Sequence, residues 1–365
     1  MPNLSVGFIS QDWSPSGNFS YPNGCTWYRC FHPAIAISKF GGMSHVGWLS
    51  MVGGRVGIKV GPPIYGKSEI YSGYKILVFK LPMHVANIQA VEISKSLGVK
   101  VVVDIDDWFD NLPDTNRAKQ QTDPEKNKEN NRGVYFKIIE MADALICSTM
   151  FLYDFYKSKY PNKPIFMIRN SIDMNRWPPR KVGRTLPVIG WVGATPWRSQ
   201  DLEQLSPFFN EYLESRKNNF HHAGHIPNAP VASELLQIKS KKTTIEPMRP
   251  LTQLPEMFKN IDIGIVPLNN IEFNHAKSYL KGLEYVAAGV PFVASWSPEY
   301  QLLADAGVGR IATTKNDWFN HLDELQEYVI RDNEADDNRR IVREYFSIES
   351  KVAEWFDVFS KIMDL

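Results

Sequence analysis

The chain has 365 residues, of which 43% are hydrophobic and 12% aromatic, so it is too long for one ordinary core and apolar enough for two. Its 41 lysines and arginines balance 40 aspartates and glutamates, which excludes the bulk field of a generic nucleic-acid or acidic-surface binder. Any site for an anion must therefore be local.

The cysteines are few and carry no metal-binding spacing. Cys25, Cys30 and Cys147 form neither a CxxC nor a CxxH pattern, which predicts a reducing compartment and no disulfide framework. The first residues lack a basic stretch with a long apolar run, and nowhere do about 18 apolar residues follow one another. We expect a cytoplasmic protein without stable membrane insertion, in the host cytoplasm if a phage encodes it.

The first half of the chain alternates predicted strands and helices. The strands are predicted at residues 5–10, 74–79, 100–107, 144–148 and 165–168, and the helices at 27–37, 88–97, 134–141 and 150–160. Such alternation predicts parallel pairing with right-handed crossovers. The polar segments 11–23 and 113–133 are expected to be loops, and the second is the best candidate for a mobile lid.

Polar residues follow three of these elements. Gly24 ends the first loop just before a helix, where amides can meet a phosphate or a sugar, so Gly24 and Arg29 are candidate ligand contacts. Another strand ends in Asp104, Asp106 and Asp107, which suit a metal, a base or hydroxyl acceptor, or a simple cap. A further candidate, His84, follows the strand at 74–79, although a histidine at a strand end is more often packed or solvated.

The second half repeats the alternation after a proline-rich linker. Strands are predicted at 188–193, 220–225, 243–246, 261–268 and 290–295, and a helix at 251–260. The predicted domains are residues 1–178, residues 179–345, and a C-terminal segment 346–365 whose helix at 348–363 packs back on the first domain. The cluster His221, His222 and His225 lies on alternating strand faces without a fixed acidic partner, which argues against a metal site.

The stretch 274–289 is predicted to be one helix that runs into a buried strand. On a helical wheel Lys277, Lys281 and Glu284 fall within roughly 60° of one another, beside an apolar stripe that contains Leu280 and Leu283. The lysines of such an edge could bind an anion, and the glutamate could accept a hydrogen bond from a hydroxyl. An ordinary solvated ion-pair edge is the alternative.

These motifs together resemble a known enzyme family. The segments are Arg169-Asn170-Ser171-Ile172-Asp173, Gly190-Trp191-Val192-Gly193-Ala194 with Asp201-Leu202, Lys277-Ser278 to Glu284-Tyr285, and Gly289 to Ser295. They resemble the GT-B glycosyltransferases of family 4 over essentially the whole chain. The resemblance implies an α/β fold of two Rossmann-like domains facing a cleft, with an acceptor-side first domain and a nucleotide-sugar-binding second domain.

The resemblance also implies donor-binding residues. Glu284 takes the place of the second acid of the family's Glu-x7-Glu pattern, which binds the ribose hydroxyls, while Ala276 stands where the first acid usually contacts the donor sugar. The expected donor-binding set is Gly24, Gly193, Ala194, Arg198, Lys277, Ser278, Tyr279 and Glu284. The donor is a nucleotide-diphosphate sugar, and no cofactor or metal is expected.

The expected catalytic set draws on both domains. Arg198 and Lys277 would stabilise the departing diphosphate, unless Arg198 is an ordinary surface residue on a loop. From the first domain Asp106, Asp107 and His84 are the candidates. The implied reaction is retaining and metal-independent, because the acceptor enters on the side from which the leaving group departs and no protein nucleophile is required.

The predicted activity is that of a hexosyl- or pentosyltransferase. The acceptor is a hydroxyl of a glycan, a protein or a modified DNA base. A non-catalytic nucleotide-sugar-binding protein of the same fold is the main alternative, and Ala276 is its best support. A nucleotide-sugar epimerase ranks lower, since it would need a catalytic acid/base set in the cleft and the sequence shows none.

Overall fold

The fold is given by a computed structural model. It describes residues 4–10, 12–16, 19–52, 55–60, 66–68, 73–123, 125, 129–178, 184–239 and 243–365. The chain divides into two units, one formed by Met1–Ser171 with Ile348–Leu365 and the other by Ile172–Ser347. Each unit has its own sheet and its own buried core.

Buried apolar strands form the centre of the first unit. Its strands are β1 (Ser5–Ser10), β2 (Trp13–Ser16), β3 (Phe19–Pro22), β4 (Met43–Val52), β5 (Arg55–Val60), β6 (Gly66–Ser68), β7 (Ile76–Lys80), β8 (Lys100–Ile105), β9 (Ala144–Cys147) and β10 (Ile165–Met167). In the described part of this unit the main sheet has the order β10-β9-β8-β7-β1-β4-β5-β6. The six strands from β10 to β4 are parallel, while β5 and β6 add antiparallel pairs at one side.

The helices of the first unit follow its strands in the order predicted. They are α1 (Gly24–Thr26), which continues through the π-helical turn Trp27–Phe31 into α2 (His32–Lys39), and then α3 (Ala86–Ser96), α4 (Arg117–Thr122), α5 (Asn131–Met141) and α6 (Met150–Lys159). The predicted helices are confirmed, but the strands β4, β5 and β6 between α2 and β7 were not predicted from the sequence.

Two polar segments of the first unit contain more structure than the sequence predicted. Within the expected loop 11–23, β2 and β3 pair as an antiparallel hairpin. Within the expected lid 113–133, residues Arg117–Thr122 are helical because the side chain of Asn116 accepts a hydrogen bond from the Ala118 amide and caps the helix. The prediction that 113–133 is a loop throughout is therefore wrong. Its residues 124 and 126–128 lie outside the described part of the chain.

The second unit is built on a parallel sheet of strand order β13-β12-β11-β14-β15-β16 in its described part. The strands are β11 (Val188–Val192), β12 (Asn219–His225), β13 (Thr243–Pro247), β14 (Ile263–Val266), β15 (Phe292–Ser295) and β16 (Arg310–Ala312). The helices are α7 (Ser199–Glu203), α8 (Ser206–Arg216), α9 (Ala232–Leu235), α10 (Glu272–His275), α11 (Leu280–Ala287), α12 (Pro298–Asp305), α13 (Lys315–Glu324) and α14 (Tyr328–Ile341).

The second unit begins before the linker that the sequence indicated. Ile172 donates its amide hydrogen to the Phe346 carbonyl at 3.1 Å, and the Trp177 ring packs edge-on against Phe258 at 5.3 Å. Residues 172–178 therefore belong to the second unit, whereas the predicted boundary lay at residue 178.

The last helix, α15 (Ile348–Met363), belongs to the first unit. Its rings Trp355 and Phe359 both meet Phe8 of β1 edge-on, with centroid distances of 5.8 Å and 6.2 Å. Aromatic pairs of this geometry add about 0.5–1.5 kcal/mol each to the burial of their surface. The end of the chain thus completes the core under β1. No helix in the described ranges combines the length and apolar character needed to cross a membrane.

Candidate functional site

The carboxyl edge of the first sheet collects charged side chains from neighbouring strands. Register aligns Ser10 of β1 with Lys80 of β7, and Lys80 with Asp104 of β8. Because parallel strands end at the same edge, these residues come together where sites form in α/β sheets. Asp106 follows β8 directly and joins them.

Lys80, Asp104 and Asp106 form a buried network of opposite charges with Arg29. Arg29 donates from Nε to Asp104 Oδ1 at 3.0 Å and from Nη2 to Asp104 Oδ2 at 2.6 Å. Lys80 Nζ lies 3.6 Å from Asp104 Oδ1 and forms an ion pair with Asp106. Only the Asp106 side chain, 11% exposed, reaches the surface, so it is the member that can meet a ligand.

The network makes Arg29 a structural residue and corrects the expectation that it contacts a ligand. Its side chain is 1% exposed, and Nη1 donates to the Ile168 carbonyl at 2.7 Å. The guanidinium also lies 5.3 Å from the centroid of the Trp355 ring. Every face of Arg29 therefore contacts the protein interior.

The same network controls the ionisation of Asp106. Burial alone would raise the pKa of Asp106, but the charge and hydrogen bond of Lys80 outweigh burial and hold this pKa below its usual value. The Cys25 thiol donates a further hydrogen bond to Asp106, while burial raises the pKa of Cys25 itself well above its usual value. Asp106 is thus ionised at neutral pH and suits a hydroxyl acceptor better than a strong base.

Asp12 belongs to this edge, although the sequence analysis did not single it out. Burial raises its pKa, and the nearby charge of Asp106 raises it further against the lowering effect of Asn23 and Lys80. Asn23 Nδ2 donates to Asp12 Oδ1 at 2.8 Å, which places this carboxylate beside the start of α1 at Gly24. Its position just past the end of β1 was the available signal.

The other predicted residues of the first unit lie nearer the surface. His84 is exposed, and its Nδ1 accepts a hydrogen bond from the Ala86 amide at 3.2 Å. Asp107 accepts from the Trp108 amide at 2.9 Å, as a local cap does. Gly24 opens α1, and a Cβ there would meet nothing within 4 Å, so its backbone is accessible. None of these contacts ties His84 to the charged network.

The position of Lys80 is relevant to the alternative that Asp104, Asp106 and Asp107 bind a metal ion. Its ammonium group lies between Asp104 and Asp106, where it supplies the positive charge that a cation would bring. Across the described ranges, no group of three or more metal-ligating side chains is close enough to hold an ion.

The second sheet also gathers polar residues at its carboxyl edge. Arg198 follows β11 and pairs through Nη1 with Asp201 Oδ2 at 3.3 Å, with 38% of its side chain exposed. Asp201 Oδ1 accepts from the Asn269 amide at 2.9 Å and from Asn274 Nδ2 at 2.8 Å. The buried carboxylate of Asp201 therefore links three parts of this edge: the segment after β11, the segment after β14, and helix α10. It also orients Arg198.

The stretch 274–289 is two helices rather than the single helix predicted. Helix α10 ends at His275, Ala276 to Tyr279 form a connection, and α11 begins at Leu280. The Asn274 side chain bonds Asp201 and the Asn269 carbonyl, and short polar side chains that bond locally compete with helical hydrogen bonds.

The break changes the placement of the cationic edge. Lys277 does not share a helical face with Glu284, so the spacing expected from one continuous helix is wrong. Lys277 and Ser278 instead precede the N-terminus of the eight-residue helix α11, where amides and the helix dipole favour an anion. Lys277 Nζ lies over the Phe273 ring, 4.2 Å from its centroid.

Residues within α11 connect it to the sheet. Glu284 is 5% exposed and accepts from Lys281 Nζ at 2.6 Å. The acid is therefore buried in an ion pair, and is not part of the solvated edge that the sequence offered as an alternative. Tyr285 Oη accepts from the Val192 amide at 3.1 Å and lies 3.2 Å from the Gly190 carbonyl. The tyrosine hydroxyl holds α11 against β11, a role that the sequence analysis missed.

The predicted site for the donor sugar differs from the family pattern in the structure as well. Ala276 is fully buried, so this position presents neither a carboxylate nor an accessible side chain. Tyr279 is also buried, and its ring meets Phe346 edge-on at 5.6 Å. Both positions contribute packing beneath the connection between α10 and α11.

Comparison with known proteins finds likeness in structure alone. No protein-family model matches the chain, and no curated protein matches it. A glycosyltransferase from Rickettsia africae superposes with a TM-score of 0.63 at 11% identity over 99% of both chains. Anabaena Alr3699/HepE in complex with UDP and glucose gives a TM-score of 0.61 at 12% identity over 98% of this chain and 100% of that one.

A third similar structure is longer than this chain. TarM, known from S. aureus, superposes with a TM-score of 0.57 at 14% identity over 79% of this chain. The aligned part is 55% of TarM, so the match spans about half of that protein. Together with the two parallel α/β units, these likenesses show that the chain has the GT-B fold.

Proposed function

We propose that the protein transfers a sugar from a nucleotide-diphosphate sugar to a hydroxyl acceptor, in the manner of family 4 glycosyltransferases. The observation that carries the proposal is the carboxyl edge of the second sheet. There Arg198 pairs with Asp201, and Lys277 and Ser278 precede the N-terminus of α11. These cationic and amide groups are proposed to bind the diphosphate. HepE, which has this fold, was solved with UDP and glucose.

The diphosphate is the group that such a site stabilises. As the bond between the anomeric carbon and the diphosphate oxygen breaks, its electron pair passes to that oxygen and negative charge develops there. Arg198 and Lys277 supply positive charge, and Ser278 with the amides of Tyr279 and Leu280 at the start of α11 supplies hydrogen bonds. Gly193 and Ala194, directly after β11, bring backbone to the same edge.

The nucleoside would bind further along α11. Glu284 is the acid proposed to accept hydrogen bonds from the ribose hydroxyls. Its ion pair with Lys281 at 2.6 Å fixes the orientation of the carboxylate, which favours recognition of a diol.

The acceptor is proposed to bind at the carboxyl edge of the first sheet. A polar group of the acceptor other than the reacting hydroxyl would donate to Asp106, with Asp107 and His84 as further contacts. Acceptor oxygen bonds to the anomeric carbon, and the acceptor proton passes to the departing diphosphate oxygen. This retaining route requires no protein nucleophile and no metal, and it suits a glycan, a protein hydroxyl or a modified DNA base.

The test is release of nucleoside diphosphate from a panel of UDP-, GDP-, ADP- and dTDP-sugars. We expect turnover of at least one hexose or pentose donor, and a donor KM about tenfold higher in Glu284→Gln, as the loss of about 1.4 kcal/mol implies. Glu324→Gln, which alters an exposed acid paired with Arg310, is the matched control. Unchanged donor affinity in Glu284→Gln would remove the ribose assignment.

A nucleotide-sugar-binding protein without turnover is the second candidate, favoured by the buried Ala276. It predicts that a donor raises the melting temperature while no diphosphate is released with any acceptor. Turnover of any donor excludes it.

A further inference from the structure

We infer that His222 is a positioning residue, whose neutral imidazole ties the segment after β11, residues 193–198, to the start of α9. The inference rests on two hydrogen bonds, one at each ring nitrogen of His222. Arg198, which is proposed to bind the diphosphate, lies at the end of that segment. An effect of His222 on donor binding therefore rests on the proposed function.

The hydrogen-bond partners determine the tautomer of His222. The Ala232 backbone amide lies 3.3 Å from Nδ1, and an amide nitrogen can only donate, so Nδ1 is the acceptor. Nε2 therefore carries the hydrogen and donates it to the Gly193 carbonyl at 3.1 Å. A side chain that donates at one end and accepts at the other bridges the two segments.

The protein surroundings hold His222 in this role. The residue is fully buried on β12, beside its register partner Trp191, with the two rings 5.2 Å apart. Burial, with smaller contributions from His225 and His221, lowers the pKa of His222 to about 4 against the raising effect of its bond to Gly193. The imidazole is therefore neutral at pH 7, as the bridge requires.

Further contacts extend the bridge toward Arg198. The Gly193 amide donates to the Ala223 carbonyl at 2.9 Å, and Thr195 Oγ1 donates to the Pro230 carbonyl at 2.6 Å. The Arg198 amide then donates to the Thr195 carbonyl at 2.9 Å. Hydrogen bonds to β12 and to the residues before α9 thus fix the backbone position of residues 193–198.

Close packing at Gly224 supports the same reading. Gly224 has φ +110°, and a Cβ there would lie 2.6 Å from the Gly193 carbonyl oxygen. Only glycine allows that carbonyl to approach β12. The sequence places His222 and Gly224 two residues apart, and both act on the same carbonyl group.

His221 provides a contrast on the same strand. Its Nδ1 lies 2.8 Å from Thr244 Oγ1 and its Nε2 lies 3.9 Å from Glu246 Oε1, so it bonds toward β13 rather than toward residue 193. Since successive strand residues face opposite sides, a substitution here tests general damage to β12 without touching the bridge.

Two substitutions separate the two ends of the imidazole. The His222→Gln amide extends to the Nε2 position and can still donate to Gly193, whereas the shorter His222→Asn amide reaches only the Nδ1 position beside Ala232. Amide hydrogen exchange of residues 193–198, measured without any nucleotide, reports the bridge directly.

We expect exchange in residues 193–198 to be about tenfold faster in His222→Asn, as loss of one hydrogen bond implies. Exchange in His222→Gln should stay within about threefold of wild type, and His221→Asn should leave this segment unchanged. Unchanged exchange in His222→Asn would overturn the inference, as would equal acceleration in His222→Asn and His221→Asn.

A second measurement connects the bridge to donor binding. If wild type turns over a nucleotide sugar, His222→Asn should raise the donor KM more than it lowers kcat, and His222→Gln should restore the KM. An unchanged KM beside faster exchange would overturn the link to Arg198. If wild type neither binds nor turns over any donor, the proposed function fails, while hydrogen exchange still decides whether His222 holds the segment.

Discussion

Asp201 and Asn274 are 73 residues apart in sequence, yet a buried hydrogen bond of 2.8 Å joins Asp201 Oδ1 to Asn274 Nδ2. The same carboxylate accepts from the Asn269 amide and pairs with Arg198. Three segments that would bind a donor are therefore joined at one side chain, which makes Asp201 the residue whose removal should disturb all of them together.

Replacing Asp201 with alanine should weaken both folding and donor binding. The Asn274 side chain and the Asn269 amide would lose an acceptor in a buried place, which costs about 1–3 kcal/mol. We expect a lower urea midpoint and a higher donor KM. Asp323→Ala, which removes an acid paired with Arg216 and hydrogen-bonded to Tyr212, is the control and should leave the KM unchanged. A wild-type KM in Asp201→Ala would show that Asp201 does not orient the site.

Replacing Lys80 with methionine should destabilise the first unit strongly. Lys80 neutralises Asp104 and Asp106 inside the protein, and removing one partner of a buried ion pair costs about 3–5 kcal/mol. Lys95→Met removes an ion pair with Asp143 whose lysine is 41% exposed and should cost about 0–1 kcal/mol. Urea unfolding measures both. Equal losses in the two variants would mean that the buried network carries no special stability.

Stability should depend on His222 between about pH 6.5 and pH 4. Its pKa is lowered to about 4 by burial, whereas an unfolded histidine titrates near ~6.5. The unfolded chain therefore takes up the proton first, so this contribution to stability is complete above about pH 6.5 and is lost as the pH falls toward 4. The shift corresponds to ~3 kcal/mol at most.

Urea unfolding of wild type and His222→Gln at pH 7, 5.5 and 4.5 isolates this effect, because carboxylates titrate in both proteins. The stability advantage of wild type over His222→Gln should shrink as the pH falls. An advantage that stays constant across this range would show that His222 is not held neutral in the fold.

Chelation should leave glycosyl transfer intact. Arg198 and Lys277 are proposed to stabilise the negative charge of the diphosphate in place of a metal ion. Lys80 already neutralises Asp104 and Asp106 at the carboxyl edge of the first sheet. We expect the same kcat with and without EDTA once contaminating metal has been removed by dialysis. A rate that falls with EDTA and returns with Mg²⁺ or Mn²⁺ would contradict the metal-independent mechanism.

The sequence predicted those strands of the two sheets that are short, apolar runs, but not β4, β5, β6 or β16. Residues such as Val101 to Val103 and Val293 are fully buried, and runs of this kind indicate strands covered on both faces. The alternation with helices then implied parallel pairing. By contrast, the hairpin of β2 and β3 arises within a polar, proline-containing stretch that has no apolar periodicity to indicate it.

The sequence was less informative about the sites because their contacts are long-range. Helical periodicity favoured one helix across 274–289, and only the bonds of Asn274 to Asp201 and Asn269 show why it breaks. Lys80 directly follows the strand predicted at 74–79 and was not singled out, because its partners Asp104 and Asp106 become its neighbours only through strand register. Glu284 and Lys277 stay predicted donor-binding residues, but the sequence did not indicate that a connection between two helices separates them.

The most direct test of the central claim is titration of wild type, Lys277→Ala and Lys315→Ala with the nucleotide sugar that wild type turns over. Both lysines lie over a phenylalanine ring, Lys277 over Phe273 at 4.2 Å and Lys315 over Phe319 at 5.0 Å, but Lys315 begins α13 beyond the outer strand β16. We predict saturable binding to wild type and Lys315→Ala, and at least about tenfold weaker binding to Lys277→Ala. Equal affinity in all three proteins would contradict the account, as would the absence of turnover of every nucleotide sugar by wild type.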